Sequence, residues 1–167
     1  MPRSFRMLPR RLVPALALLA AAPVLPALAQ SNLEVAAGVS LTRDNESTPI
    51  ATVTWLPEWR PFGERGELRW ELGATHVRPR ADTAYDLDHT VTVVHGGYRY
   101  QRDNGFTTGF GVGLQVGHTD ALSGNPQFIT TLGWRWGDFS LLARHISNAS
   151  IRQPNDGETM LQAAWRF

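Results

Sequence analysis

The sequence predicts an all-β protein, an eight-stranded antiparallel transmembrane barrel of the outer membrane, and three observations carry that prediction. From Leu33 onward, apolar and polar or small residues alternate with the period of two that belongs to strands. The alternation recurs in eight segments of roughly ten residues, the length that crosses a bilayer as tilted strands. Aromatic residues gather near the ends of these segments, and nothing after residue 29 offers the run of about 20 apolar residues that a transmembrane helix needs.

In the first segment Leu33, Val35, Ala37, Val39 and Leu41 oppose Glu34, Ala36, Gly38, Ser40 and Thr42. The second, about Ile50 to Leu56, alternates less cleanly, with Ala51, Val53 and Trp55 as its apolar face. In the third, Leu68, Trp70, Leu72 and Ala74 stand opposite Arg69, Glu71, Gly73 and Thr75. The fourth, about Asp88 to Tyr100, is ambiguous in its upper half and ends in the girdle-type residues Tyr98 and Tyr100.

Phe106, Thr108, Phe110, Val112 and Leu114 set one face of the fifth segment against Thr107, Gly109, Gly111, Gly113 and Gln115. The sixth puts Phe128, Leu132, Trp134 and Trp136 on one side, and Thr131, Gly133 and Arg135 on the other. In the seventh, Phe139, Leu141 and Ala143 lie on the face that continues into His145 and Ser147. The eighth opposes Leu161, Ala163, Trp165 and Phe167 to Gln162, Ala164 and Arg166.

Charged residues such as Glu34, Arg69, Glu71, Arg99 and Arg135 fall on the faces opposite the apolar ones, so the apolar band is expected to face lipid. Closure of the sheet then satisfies the backbone groups that lipid cannot hydrate. Long connections at Arg43–Pro49, Pro79–Leu87, Val116–Gln127 and Asn148–Gly157 alternate with short ones at Gln101–Gly105 and Gly137–Asp138. Pro57–Glu67 departs from this rule as a longer connection at the periplasmic end.

Two parts are expected, residues 1–29 as a signal peptide and residues 30–167 as the barrel. Arg3, Arg6, Arg10 and Arg11 precede the apolar stretch Leu12–Leu25, and Ala27-Leu28-Ala29 is a small-residue cleavage signal. Four of the sixteen basic residues and none of the fifteen acidic ones lie in that leader. The remainder therefore carries twelve basic against fifteen acidic groups, a formal charge of −3. This balance excludes a nucleic-acid partner of the usual basic kind. With no cysteine, the exported domain holds together without disulfides.

The stretch with chemistry in it is Arg144-His145-Ile146-Ser147-Asn148-Ala149-Ser150, followed by Pro154-Asn155-Asp156-Gly157-Glu158. On a strand, His145 and Ser147 share a face. An imidazole there can take the proton of a hydroxyl, provided a third group fixes the ring. Glu158 or Asp156 could return across a hairpin as that group, and the Asn148 side chain is of the type that stabilises an oxyanion.

The run His145-x-Ser147-Asn148-Ala149, then Asn155-x-Gly157-Glu158, a final strand and a terminal aromatic resembles the PagL-type lipid A 3-O-deacylases of the outer membrane. The resemblance implies His145 as general base, Ser147 as nucleophile and Glu158 as acidic partner, with Asn148 and Asn155 holding the oxyanion. It also implies lipopolysaccharide, through its lipid A, as substrate, with hydrolysis of the 3-O-linked ester and release of a 3-hydroxy fatty acid. No metal and no organic cofactor are implied, and a homodimer is among the assemblies such a family admits. Strict alternation sets Glu158 on the face of Gln162 and Arg166. The triad therefore requires either that the last strand begin beyond Glu158 or that a bulge re-aim it.

Of the other candidates, His76, His89, His95 and His118 lack the paired spacing of a metal site and read as structural or solvated. Arg78, Arg80, Arg144 and Arg152 are placed near the outer rim, where they could meet lipid A phosphates. The competing reading is a non-catalytic barrel acting in adhesion or membrane integrity, with the His-x-Ser pair an accident of the rim.

Overall fold

The computed structural model describes residues 32–81 and 83–167, so the expected signal peptide lies outside the described residues. Nine strand segments follow one another, each antiparallel to its partners: β1 Leu33–Leu41, β2 Ser47–Trp55, β3 Glu58–Pro61, β4 Gly66–Val77, β5 Val91–Arg102, β6 Phe106–Val116, β7 Gln127–Trp136, β8 Phe139–Ser147 and β9 Glu158–Arg166. β1 pairs with both β2 and β9, and β2 pairs with β4, which closes the sheet on itself. β2 and β3 lie end to end along β4 and make one barrel strand, so the closed barrel has the eight strands expected.

The interruption falls at Leu56-Pro57, where proline has no N–H for the ladder. Trp70 still donates its N–H to the Pro57 carbonyl (3.1 Å), and β3 then resumes pairing with a register shift between Glu58 and Arg60. The long connection expected over Pro57–Glu67 is thereby corrected. Its first half is strand, and the chain turns only over residues 62–65, closed by the Phe62 N–H on the Gly66 carbonyl (2.8 Å). Short turns thus collect at the end that carries both strand termini, and the longer loops at the other, the outer-membrane pattern of periplasmic turns and extracellular loops.

Inside, the lumen is layered. Ile50, Val77, Val91, Val93, Ile129, Ile146 and Met160 pack with Leu122 of the 117–126 loop as an apolar plug below the outer mouth. This layer explains the ambiguous stretches of the sequence. In the upper half of β5, Val91 and Val93 fill the lumen while Val94 faces outward, so both faces are apolar. β2 is blurred in the same way by Ile50.

A second layer is ionic. The Glu71 carboxylate on β4 accepts from Arg99 Nε (2.8 Å) and His95 Nε2 (3.2 Å) of the neighbouring β5 and, across the lumen, from Arg144 Nη2 (2.5 Å) of β8. Glu34 on β1 joins Arg99 (2.5 Å) and Arg166 (3.4 Å) to the same network. Five strands are cross-braced through groups that water does not reach, where a missing partner would be far more costly than at a surface.

The outward wall is apolar throughout its height, with Val39, Val53, Leu72, Val94, Leu114, Leu132, Leu141 and Leu161 all exposed. All six tryptophans, 55, 59, 70, 134, 136 and 165, are exposed on it toward the end with the short turns, where an interfacial girdle belongs. Among the described residues no helix is long and apolar enough to cross a membrane; the strands do so.

Candidate functional site

β8 rises from the Gly137-Asp138 turn toward the outer loops, alternating exposed and buried side chains along its whole length. Phe139, Leu141, Ala143 and His145 face outward and Ser147, half-buried, ends the strand on the same side. Between them Ile146 is fully buried in the plug, so the strand that carries the pair is clamped from within. Imidazole and hydroxyl therefore look into the membrane near its outer face, as the parity of the sequence predicts. Among the described residues no hydrogen bond joins the His145 ring to the Ser147 hydroxyl.

Glu158 requires a correction. β9 begins at Glu158 itself, paired with Ile146 and without a register shift, so alternation turns its carboxylate into the barrel. There it is fully buried, receives both arms of the Arg80 guanidinium (2.9 and 2.8 Å), and accepts a short hydrogen bond from the Ser40 hydroxyl. The sheet separates it from His145. The fallback acid, Asp156, lies in the loop before β9, where its charge acts on Tyr85.

Asn148 is likewise used differently from the expectation, and Asn155 is tied to it through Oδ1. The Asn148 side chain is buried and donates to Ser123 Oγ (3.2 Å) and to the Arg152 carbonyl (3.1 Å), while Asn155 Oδ1 accepts from the Asn148 backbone N–H (3.3 Å). Together they hold the turn that follows the serine. Within it Ala149 and Ser150 have φ of 53° and 63°, a conformation that side-chain-bearing residues adopt only when their surroundings impose it.

What the structure brings to His145 is Thr159. The two residues are directly opposite on β8 and β9, and His145 Nδ1 lies 3.0 Å from Thr159 Oγ1. Alternation puts this threonine on the lipid face with Leu161, Ala163 and Trp165, and the pairing of β8 with β9 sets it opposite the histidine. Gly157 is the second residue without an assigned role. Its φ is 70°, and a Cβ there would sit 2.8 Å from His145 Cε1, so the ring can lie against the chain only because this position is glycine.

Beside His145 runs a groove of about 350 Å³ lined by Thr108, Thr130, Leu132, Ala143, His145 and Thr159. Through Leu132 and Ala143 it continues into an apolar channel of about 410 Å³ bounded by Phe106, Trp134, Trp136, Leu141 and Leu161. The channel descends the lipid-facing wall toward the tryptophan girdle and offers a hydrocarbon chain a path that begins at the imidazole.

Two of the four arginines assigned to the rim are inside the barrel: Arg80 on Glu158 and Arg144 on Glu71. Neither is presented to a lipid phosphate. His95 belongs to the ionic layer, and His76 bonds Thr92. Asp86, Asp88 and His89 bring their ligand-type atoms within 4.8 Å of one another, but on one exposed loop where His89 pairs with both carboxylates. In that loop the carboxylate of Asp44, by its charge and a hydrogen bond, pushes the Tyr85 phenol above its ordinary range, and Asp156 adds to the effect.

Fold and site together define an outer-membrane β-barrel with a histidine, a serine and an apolar groove on the face that meets lipid. Comparison with known proteins gives that class a family. The profile of the family described as lipid A 3-O-deacylase (PagL) matches residues 47–167, and the chain belongs to that family. A crystal structure of the outer membrane enzyme PagL is similar at a TM-score of 0.54 and 18% identity, covering 80% of this chain and 98% of that one. A crystal structure of Ail, the attachment invasion locus protein of Yersinia pestis, aligns at a TM-score of 0.46 and 12% identity over 81% of this chain and 96% of that one. No curated protein sequence matches the chain.

Proposed function

We propose that this protein is a serine esterase of the outer membrane that hydrolyses the 3-O-linked acyl chain of lipid A and releases a 3-hydroxy fatty acid. The observation that carries the reading is that His145 and Ser147 share the lipid face and that His145 lines the groove leading into the apolar channel. Lipopolysaccharide can then reach them sideways from the outer leaflet, with its acyl chain along Leu132, Ala143 and Leu141.

Ser147 Oγ attacks the ester carbonyl while His145 takes its proton. The imidazolium returns that proton to the departing sugar oxygen, and water, activated by the same ring, releases the fatty acid from the serine. Asn148 acts in this reading by fixing the turn at 148–150 beside the nucleophile, since its amide NH2 is engaged within it, and Asn155 braces the same turn through Oδ1 with its Nδ2 as the donor offered to the oxyanion. Water is the only co-reactant these steps use.

Mass spectrometry of lipid A from cells carrying this chain, beside a Ser147→Ala variant assembled to the same level, tests the proposal. Loss of one 3-hydroxyacyl group with the parent and none with the variant is the expected outcome. Unchanged lipid A with both, repeated for purified protein in detergent, would turn the reading to the non-catalytic barrel.

A further inference from the structure

We infer that the third member of this site is Thr159, acting as a neutral positioning residue on His145, and that Glu158 is not a triad acid but an anchor set into the opposite face of the same strand. The inference deepens the proposed function and rests on His145 being its base.

A base that works on a neighbouring hydroxyl must keep one ring nitrogen unprotonated and aimed. That is achieved when the other nitrogen donates to a fixed acceptor. Thr159 Oγ1, 3.0 Å from His145 Nδ1, is that acceptor. With the Nδ1 proton committed to Thr159, the Nε2 lone pair is free for Ser147, and Gly157 against the ring edge restricts its rotation.

Among the described residues no carboxylate is hydrogen-bonded to the His145 ring. Across from His145 stand Thr130 on β7 and Thr159 on β9, with Ala143 and Ser147 along β8. The nearest charged neighbours in sequence, Arg144 and Glu158, both point inward and are paired with Glu71 and Arg80. Asp156 acts on Tyr85.

Glu158 serves the site from behind. Its carboxylate joins the start of β9 to Ser40 on β1 and to Arg80, whose Nε also donates to the Glu46 carbonyl (3.1 Å). Two outer loops and the first residue of β9 are tied at one buried point. Thr159 is the next residue, facing the other way.

The test is steady-state kinetics of the full barrel in detergent micelles with lipid A, over a pH series. Assembly of each variant is checked by heat-modifiable migration. Thr159→Val is expected to lower kcat by roughly 3- to 10-fold with KM nearly unchanged, the range that a single neutral hydrogen bond supplies. Thr159→Ser is expected to restore it.

Thr159→Glu places a carboxylate against Nδ1. It should raise kcat and move the acid limb of the pH profile upward by about one unit, because an adjacent anion favours the protonated ring. Glu158→Gln should lower the thermal midpoint and leave the shape of the pH profile unchanged. Thr92→Val, which removes the hydroxyl from the histidine pair on β4 and β5, should alter neither kcat nor the profile.

A Thr159→Val enzyme with the parent's kcat and profile would overturn the inference. So would an assembled Glu158→Gln barrel that loses about 1000-fold, as removal of a true triad acid does. If Thr159→Val fails to assemble, Thr159→Ala is read in its place against the same criteria. Activity that survives Ser147→Ala would instead sink the underlying assignment of the nucleophile, whatever Thr159 does.

Discussion

The hairpins β4–β5 and β8–β9 carry the same pair in the same place. In each, an exposed histidine near the outer end of the outgoing strand faces a threonine directly across the ladder, His76 with Thr92 and His145 with Thr159, at 3.1 and 3.0 Å from Nδ1 to Oγ1. What differs is the company. Two residues beyond His76 on the same face stands Arg78, whereas two beyond His145 stands Ser147. The groove and its apolar channel open beside His145, and the loop beyond Ser147 carries two residues with positive φ. A histidine–threonine pair across a sheet thus occurs twice in this barrel; a hydroxyl at the second position and an adjoining apolar groove distinguish the copy at His145, where the proposed function places the site.

The largest expected effect breaks this comparison at the serine. Ser147→Ala should lower deacylation by a factor on the order of 1000 or more, as loss of an activated nucleophile does. Arg78→Ser in that background gives the other hairpin its own His-x-Ser, and should restore nothing, because the groove and channel of the proposed site open beside His145. Recovery of activity in the double variant, measured by release of 3-hydroxy fatty acid, would mean that the local pair suffices and the groove is incidental.

The two hairpins are also joined from inside. Glu71 on β4 holds Arg144 on β8, next to His145 in sequence, together with Arg99 and His95 on β5. Glu71→Gln leaves Arg144 without its carboxylate in the lumen and should destabilise the barrel by about 3–5 kcal/mol, the range for removing one partner of a buried pair. Urea unfolding in detergent would measure it. Loss of stability confined to one hairpin by hydrogen exchange would show that the network does not couple them.

A smaller effect separates binding from chemistry on the active hairpin. Ala143 lines both the groove and the channel. Ala143→Phe should fill their junction and raise KM about tenfold, roughly 1.4 kcal/mol, while kcat for a short-chain ester stays near the parent value. An equal fall in kcat for long- and short-chain esters would place the acyl chain elsewhere.

Alternation made most of this legible in advance. The strands, their lipid-facing side and the outward position of His145 and Ser147 all follow from a period of two, which survives small errors in strand ends. It also gave warning about Glu158, whose parity opposed the role that the motif assigned to it. Register and depth were less accessible. That Thr159 meets His145 depends on the closure of a ten-residue loop, and no local pattern fixes that. The apolar plug blurred β2 and the upper half of β5, because a lumen filled with valine and isoleucine erases the contrast between faces. Arg80 was misplaced for a related reason: an arginine in a loop reads as solvated unless the buried carboxylate waiting for it is known.

The smallest effect concerns the loops above the two hairpins. Tyr85 belongs to the β4–β5 loop, Asp156 to the β8–β9 loop and Asp44 to the loop between β1 and β2. The Tyr85 phenol is raised by the charge of Asp44 and, less, of Asp156, since an anion at either opposes formation of the phenolate. The sign is definite. The Tyr85 contact persists through neutral pH and weakens only as alkaline pH approaches the raised value, when phenolate and carboxylate repel. Absorbance titration should show Asp44→Asn returning Tyr85 toward the ordinary tyrosine range and Asp156→Asn doing so by less. If neither variant moves the titration, the loops stand apart, and the roof over the inactive hairpin is independent of the turn that shapes the active one.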